Sequence, residues 1–512
     1  MNVCKKLLLA LLLMLALLTV LCVAWAEGGG ILTDTRFPDM AFREALDARY
    51  GDANHYVNFL RTEIDVCDCG ISDLTGIELF TNLQDLNCSG NNLETLELSQ
   101  NTKLYSLDCR DNPLARLNTS ALENLAVLYC SGDRLTTLNL PTKKDRLRIL
   151  NISNSKIPVL DVQGFTALEG VTCVDGALTS LNAAGCKSLE VVTCTGSPLS
   201  VLDVSQCAKL SFITVDGCNF TRLSLNSLSA LLDLKCDHNP MTELNVSVCP
   251  LLEAIDCSGC QLETLSVSSC GSLFQLLCAD NRLTSLNGIP ALCELDCSGN
   301  RLTELGAFPA LLELNCSNNL LTTLNAPEGL WSLDCSNNKL TALDLSRCAD
   351  LTHAVCSGNL LTALNVTGAE SLDTLIAHNN RLTTLDIDDT GFDGADWAGE
   401  AEYDGFTVRT WNFDLIFDPS VTLVRGETVI YTPNSGEIPL PTFFLPDDLI
   451  AIEADAFIGI DAEAVLIPES VTAISGDPFA GSRVRYIYGY AGSAAEAFAQ
   501  GRYTFVPLEE TD

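Results

Sequence analysis

The chain has 512 residues, 47% of them apolar and 19% charged, and its 29 basic and 66 acidic side chains leave a net charge of −37. That apolar content excludes disorder across the chain as a whole. The acidic balance excludes nucleic acid as a partner, because phosphate backbones are gathered by clustered Lys and Arg and repelled by carboxylates; charge of this sign otherwise serves solubility.

The N-terminus carries Lys5 and Lys6, an apolar run from Leu7 to Val23, and Ala24-Trp25-Ala26, a small-x-small cleavage pattern. This predicts an export signal over 1–26. Two competing readings are an uncleaved membrane anchor and a lipoprotein attached through Cys22, the latter opposed by Leu21 in the position that calls for a small residue. Cleavage removes two basic residues and no acidic ones, so the mature net charge becomes −39. No later segment has the length of a membrane-spanning helix.

Residues 27–82 read as an N-terminal cap. Phe37-Pro38-Asp39 with Phe42, Arg43 and Leu46 has helical spacing, and Ile64-Asp65-Val66 with Gly70-Ile71, Leu74 and Gly76-Ile77 reads as a half-unit of the repeat that begins at Leu83. The intervening stretch from Gly51 to Asn58 is too poor in carboxylates for an EF-hand loop.

From Leu83 a unit Leu-x-x-Leu-x-Cys-x-x-Asn-x-Leu recurs at a spacing of about 21. Its first leucines fall at 83, 104, 125, 147, 168, 189, 210, 231, 252, 273, 292, 311, 330, 351 and 372, giving 15 units over 83–390. Three successive intervals, from 273 to 330, are only 19 residues, each shortened in its second half. Leu86-Asn87-Cys88 alternates inward and outward as a short strand does, and Leu96-Glu97-Leu98 repeats that pattern, so both walls of each coil are expected to be strand-like. No single unit can bury its own leucines; stacked neighbours complete the core. The asparagine position holds Asn91, Asn112, Asn239, Asn281, Asn300, Asn319, Asn338, Asn359 and Asn380, whose amides can satisfy turn backbone. A turn or ladder role is also the better reading of Asn151, although Asn151-Ile152-Ser153 is formally a glycosylation sequence.

Twenty-four cysteines would ordinarily point to disulfides or metal. Register points elsewhere. Twelve (Cys88, Cys109, Cys130, Cys173, Cys194, Cys236, Cys257, Cys278, Cys297, Cys316, Cys335, Cys356) fill the inward sixth position, where the other coils place Ile152, Val215 and Ala377. A small apolar side chain meets that requirement. Cys186, Cys207, Cys249, Cys270 and Cys348 occupy the nineteenth position as turn filler, with oxidation of a stacked pair such as Cys249 and Cys270 left open. Neither a Cys236–His238 metal pair nor any catalytic grouping emerges, so no cofactor, metal or catalytic residue is expected.

Residues 391–441, rich in Trp, Phe, Tyr and Val as in Phe413-Asp414-Leu415-Ile416-Phe417, predict a β-rich cap or linker module. In 442–508, Leu445-Pro446 with Ala456-Phe457 and Ile467-Pro468 with Pro478-Phe479 repeat at a spacing of 22, followed by Tyr488-Gly489 and a short Ala-rich helix.

These repeats resemble the 21-residue class of bacterial surface leucine-rich-repeat proteins. Residues 27–82 resemble the caps of that group, and the last segment is similar to BspA-like repeats. The fold implied is a mainly β, parallel solenoid with an N-terminal helical cap and a β-rich C-terminal module. The BspA-like resemblance implies a surface protein that binds host or matrix proteins. Outward aromatics on the leading strands, Tyr105, Tyr129, Phe212, Phe274 and Trp331, are candidate contacts for a protein or glycan ligand; packing on neighbouring side chains is the competing role. The outward acids Asp85, Asp108, Asp233, Asp256, Asp296 and Asp334 would suit a basic partner or loosely held cations. The expectation is a secreted or cell-surface, adhesin-like monomer without enzymatic activity. The alternative is a structural surface component with no discrete ligand.

Overall fold

The computed structural model describes residues 29–392 apart from 227, then 397–403, 406–411, 415–426, 428–431, 442–445, 449–454, 456–457, 464–468, 470–482 and 484–508. The predicted export signal and the chain's last four residues lie outside the described residues. The chain divides into two compact units, up to Leu273 and from Phe274.

The first unit opens with the cap. Strand Gly29–Ile31 pairs antiparallel with Tyr56–Asn58, and a helix spans Met40–Tyr50, slightly later than its sequence pattern implies. Asp39 sets that start. One carboxylate oxygen accepts from the Phe42 amide at 2.9 Å, an N-cap bond, and the other accepts from the Ser72 and Asp73 amides, tying helix to half-coil. The helix buries Phe42, Ala45 and Leu46, and Phe37, Phe42, Phe59 and Phe80 pack edge-to-face or tilted beneath it. Strand Glu63–Asp65 of the half-coil then pairs parallel, in register, with Asp85–Asn87 of the first full coil.

From there each coil lays a three-residue strand on the previous one: Ser106–Asp108, Val127–Tyr129, Ile149–Asn151, Gly170–Thr172, Val191–Thr193, Phe212–Thr214, Asp233–Lys235 and Ala254–Asp256. Their central residues are buried, as are the leucine three positions before and the sixth-position residue after. A second wall is built by Arg116–Asn118 with Thr137–Asn139, by Val159–Asp161, Ser180–Asn182 and Val201–Asp203, and by Glu243–Asn245 with Thr264–Ser266. The expectation of strands on both walls of every coil is too broad. Leu96-Glu97-Leu98 forms none, and in the half-coil before it residues Ile77–Leu79 form a 3₁₀ turn.

The second unit continues the grammar with first-wall strands Gln275–Leu277, Glu294–Asp296, Glu313–Asn315, Ser332–Asp334, His353–Val355 and Thr374–Ile376. Its three 19-residue coils carry no second-wall strand among the described residues; that wall resumes at Ala342–Asp344, Ala363–Asn365 and Thr384–Asp386. Within 391–441, the hairpin Trp397–Tyr403 and Phe406–Trp411 precedes Leu415–Phe417, which pairs parallel with Thr374–Ile376, while Thr422–Arg425 pairs with Thr384–Asp386. This segment therefore supplies one further rung to both walls. Further on, Thr442–Phe444, Ala464–Leu466, Tyr486–Tyr490 and Thr504–Leu508 form a parallel sheet. Helix Ala494–Ala499 packs beside it, over a core that includes Ile452, Val465, Phe479 and Ile487.

The turn after each first-wall strand explains the rest of the repeat. The eighth residue of every coil except that starting at Leu125 has a left-handed backbone, with φ between 51° and 65°. This is why Gly, Asn, Asp and one His monopolise that place. The ninth residue, usually Asn, is the staple. Asn112 donates to the carbonyls of Cys88 in the preceding coil (2.9 Å) and of Cys109 in its own, and its oxygen accepts from the Leu93 amide at 3.0 Å. The same set recurs at Asn300, Asn319, Asn338 and Asn359. Buried backbone groups of two coils are thus satisfied by one amide.

Candidate interaction surface

The cysteines are interior parts. All twelve in the sixth position are buried, and no described cysteine forms a disulfide. Burial pushes the thiols of Cys130 and Cys356 up to about 12 and those of Cys207, Cys218, Cys249 and Cys260 to about 11, so they stay protonated and poor in nucleophilicity at neutral pH. Filler understates the turn cysteines, however. Cys186, Cys207 and Cys270 donate their S–H to the Val162, Ala183 and Val246 carbonyls of the preceding coil at 3.0, 3.2 and 3.3 Å, the role Asn101 plays toward Ile77. Cys218 and Cys260 stand at the ninth position and donate to Cys194 and Cys236 carbonyls, replacing the asparagine staple. Repeat spacing read from the inward position alone leaves these two unassigned; aligning the ninth position across coils finds them.

Most of the outward acids also serve the turn that follows them. Asp108, Asp256, Asp296 and Asp334 each accept a hydrogen bond from the amide two residues on, at 3.2, 3.0, 2.9 and 2.9 Å. Asn87, Asn151 and Asn315 do the same, which settles Asn151 as a turn residue. These carboxylates close the strand into its turn, a local competition that Asp and Asn win by their short side chains. Asp85, by contrast, is exposed. Asp216 differs again: burial, and then the neighbouring Asp237, raise its carboxyl to about 7, while Asp237 is held by His238 Nδ1 at 2.5 Å. Cys236 is buried and His238 is exposed, so these two side chains do not converge on a common metal position.

Of the five candidate aromatics, Tyr105, Phe212, Phe274 and Trp331 are 45–48% exposed. Tyr129 is half-buried, with the Arg110 guanidinium 5.1 Å above its ring and Asp108 holding that guanidinium at 2.7 Å. Tyr129 is therefore engaged by side chains of the preceding coil.

The structure separates the rest into different rows. Phe274 and Trp331 share the second position of their coils with Cys293 and Leu312, and consecutive amide-to-carbonyl bonds run Cys293 to Phe274, Leu312 to Cys293 and Trp331 to Leu312 at 2.8–2.9 Å. Phe274, Leu312 and Trp331 are exposed and Cys293 partly so. Four rungs at strand spacing place an unbroken apolar ridge of about 14 Å in solvent. Glu294 and Glu313 run alongside at the third position, and Gln275 donates to Glu294 at 2.8 Å. Phe212 ends a different row, Val127, Ile149, Gly170, Val191 and Phe212, at the third position of five coils of the first unit. Ile149 and Val191 in that row are exposed, and Thr172, Thr193 and Thr214 form the parallel row at the fifth position. Tyr105 also holds a second position, in the first unit, between Gln84 and Ala126. A search for outward aromatics misses Leu312 and Cys293; the 19-residue spacing of 274, 293, 312 and 331 is the signal that finds them.

Open hollows exist among the described residues. One, of 360 Å³, lies where the second wall is missing and is lined by Glu304, Leu305, Phe308, Leu324 and Pro327 among others. No helix among the described residues is long and apolar enough to cross a membrane.

No protein-family model and no curated protein matches this sequence. Solved structures do match. InlJ from Listeria monocytogenes, described as including a cysteine ladder, is 24% identical, with 76% of this chain and 97% of that chain covered and a TM-score of 0.58. YopM from Yersinia enterocolitica is 20% identical, with 88% and 91% covered and a TM-score of 0.53. At this level of identity the likeness speaks to architecture: in fold, the chain is a parallel leucine-rich-repeat solenoid, like these bacterial proteins.

Proposed function

We propose that the chain is an exported bacterial binding protein that captures a protein ligand on its first-wall face, centred on Phe274, Cys293, Leu312 and Trp331. The single observation that carries this reading is the solvent-exposed apolar ridge itself. Nothing in the coil interior requires it, since the second position also tolerates Glu169, Glu190 and Thr352. An apolar row flanked by Glu294 and Glu313 has the makeup of an interface centre with a polar rim. Within the first unit Phe212 and Tyr105 are separate candidate contacts, and Tyr129 a lesser one because Arg110 covers it. A glycan ligand stacking on Trp331 is the second form of this reading. A secreted or cell-surface location is the reading that the leader pattern supports, and the acidic charge favours a monomer.

The test is capture of a panel of purified host proteins, matrix proteins and glycans by the exported chain, repeated with Phe274→Ser and Trp331→Ser. Binding is expected to fall by tenfold or more, with the circular dichroism spectrum unchanged. Equal capture by all three proteins would remove the ridge from the reading, and no capture of any kind would favour a structural surface component.

A further inference from the structure

We propose that Cys67 and Cys69 form a redox-active dithiol in the cap, which closes into an internal disulfide under a disulfide oxidant and reopens with thiols. The inference stands apart from the ligand-binding reading. Among the described cysteines only Cys67, Cys69 and Cys293 are not buried, and two of those three are separated by a single residue.

Register explains their exposure. Asp68, between them, has φ 54° and so holds the eighth position of the half-coil; Cys67 is seventh and Cys69 ninth. In later coils a ninth-position thiol is buried against the preceding coil, as Cys218 and Cys260 are. The half-coil has no preceding coil. Cys69 Sγ therefore turns to the Cys67 carbonyl at 3.2 Å, and the Arg49 guanidinium, at the end of the cap helix, donates to it at 3.5 Å. Arg49 is itself fixed by the Asp65 carboxylate at 3.0 Å and the Cys67 carbonyl at 3.2 Å. The loop is held by the Asp68 amide on Ser89 and the Cys69 amide on Asn91. A left-handed residue between two cysteines bends the chain and brings their Cα atoms into bridging range.

The chemistry is thiol–disulfide exchange. The Cys69 thiolate attacks one sulfur of an external disulfide and expels a thiolate. The Cys67 thiolate then attacks the Cys69 sulfur and expels the second external thiolate. The two protons lost by the cysteines reside on the two released thiols, and two electrons pass from the protein to the external disulfide. Arg49 lies where negative charge collects on Cys69. Asp65 hydrogen-bonds the Cys67 thiol and pushes it up, which leaves Cys69 as the thiol that attacks first. A bridge closing so small a loop gains little chain-entropy stabilisation and stays reducible.

The experiment incubates the full chain with graded ratios of oxidised to reduced glutathione, quenches with acid, alkylates and maps the peptides by mass spectrometry. An internal Cys67–Cys69 bridge that excess reduced glutathione reopens is expected, with Cys218 and Cys260 unmodified. Cys67→Ser should stop at a glutathione adduct on Cys69, and Arg49→Gln should slow bridging about tenfold with unchanged circular dichroism, Arg49→Lys recovering most of the rate. A glutathione adduct persisting in the wild type, a bridge to another cysteine, or a bridge that reduced glutathione leaves closed would each overturn the proposal.

Discussion

The first-wall faces of residues 127–214 and 274–334 are built on the same interior and present different outsides. Both lay Leu, Ile or Val over one another at the fourth position and mostly cysteine at the sixth. Outward, the earlier face sets a Val, Ile, Gly, Val and Phe row beside three threonines, whereas the later sets a Phe, Cys, Leu and Trp row beside two glutamates. Interior positions answer to a shared geometric demand, so they are nearly interchangeable between coils. Outward positions answer to nothing inside the coil, and their difference is where binding chemistry can be selected.

The interior half of this comparison breaks first at the staple. Asn319→Ala removes donors to Cys297, Cys316 and Ser317 and the acceptor for Leu302, all buried, and should cost about 3 kcal/mol, read as a lower urea midpoint. The equivalent loss is expected for Asn112→Ala in the other unit, so unequal costs would show that the two interiors are not alike. Replacing Cys316 by Val, a residue the sixth position already accepts at Val215, should cost under about 1.5 kcal/mol and leave the fold intact. A collapse on that substitution would mean the thiol does more than fill space.

The electrostatic side is sharpened by Asp216. Its folded value, about 7, lies above its unfolded value near 3.8, so the folded state binds more protons between those limits. Its contribution to stability is therefore present below pH 4 and lost as pH rises toward 7. Asp216→Asn should flatten that falling limb and raise stability at pH 8 by about 1 kcal/mol, after allowance for partial exposure; thermal melts from pH 4 to 8 check it. An unchanged pH profile would show that folding does not raise the Asp216 carboxyl.

The smallest effect is expected outside. Thr193→Val on the earlier face and Glu313→Gln on the later one should each change stability by less than about 0.5 kcal/mol. Ligand capture is the contrast: Glu313→Gln should weaken it at low salt while Thr193→Val leaves it unaltered. If Thr193→Val were the damaging change, the binding centre would belong to residues 127–214.

From the sequence alone come the parallel coil, the inward cysteines and the asparagine staple, because a period of about 21 residues with fixed apolar spacing has one economical way to bury its leucines. Strand pairing across coils is non-local, and only the tertiary structure decided which outward residues share a row. It joined Phe274 to Trp331 through Leu312, and set Phe212 at a different position of the coil. It also decided that Asp108 and its counterparts close turns, that the short coils lose their second wall, and that 415–425 adds a rung to each wall. Cys67 and Cys69 make the same point from the end of the stack. Their residue type is that of the buried thiols, but the missing preceding coil leaves them beside Arg49 and within reach of solvent.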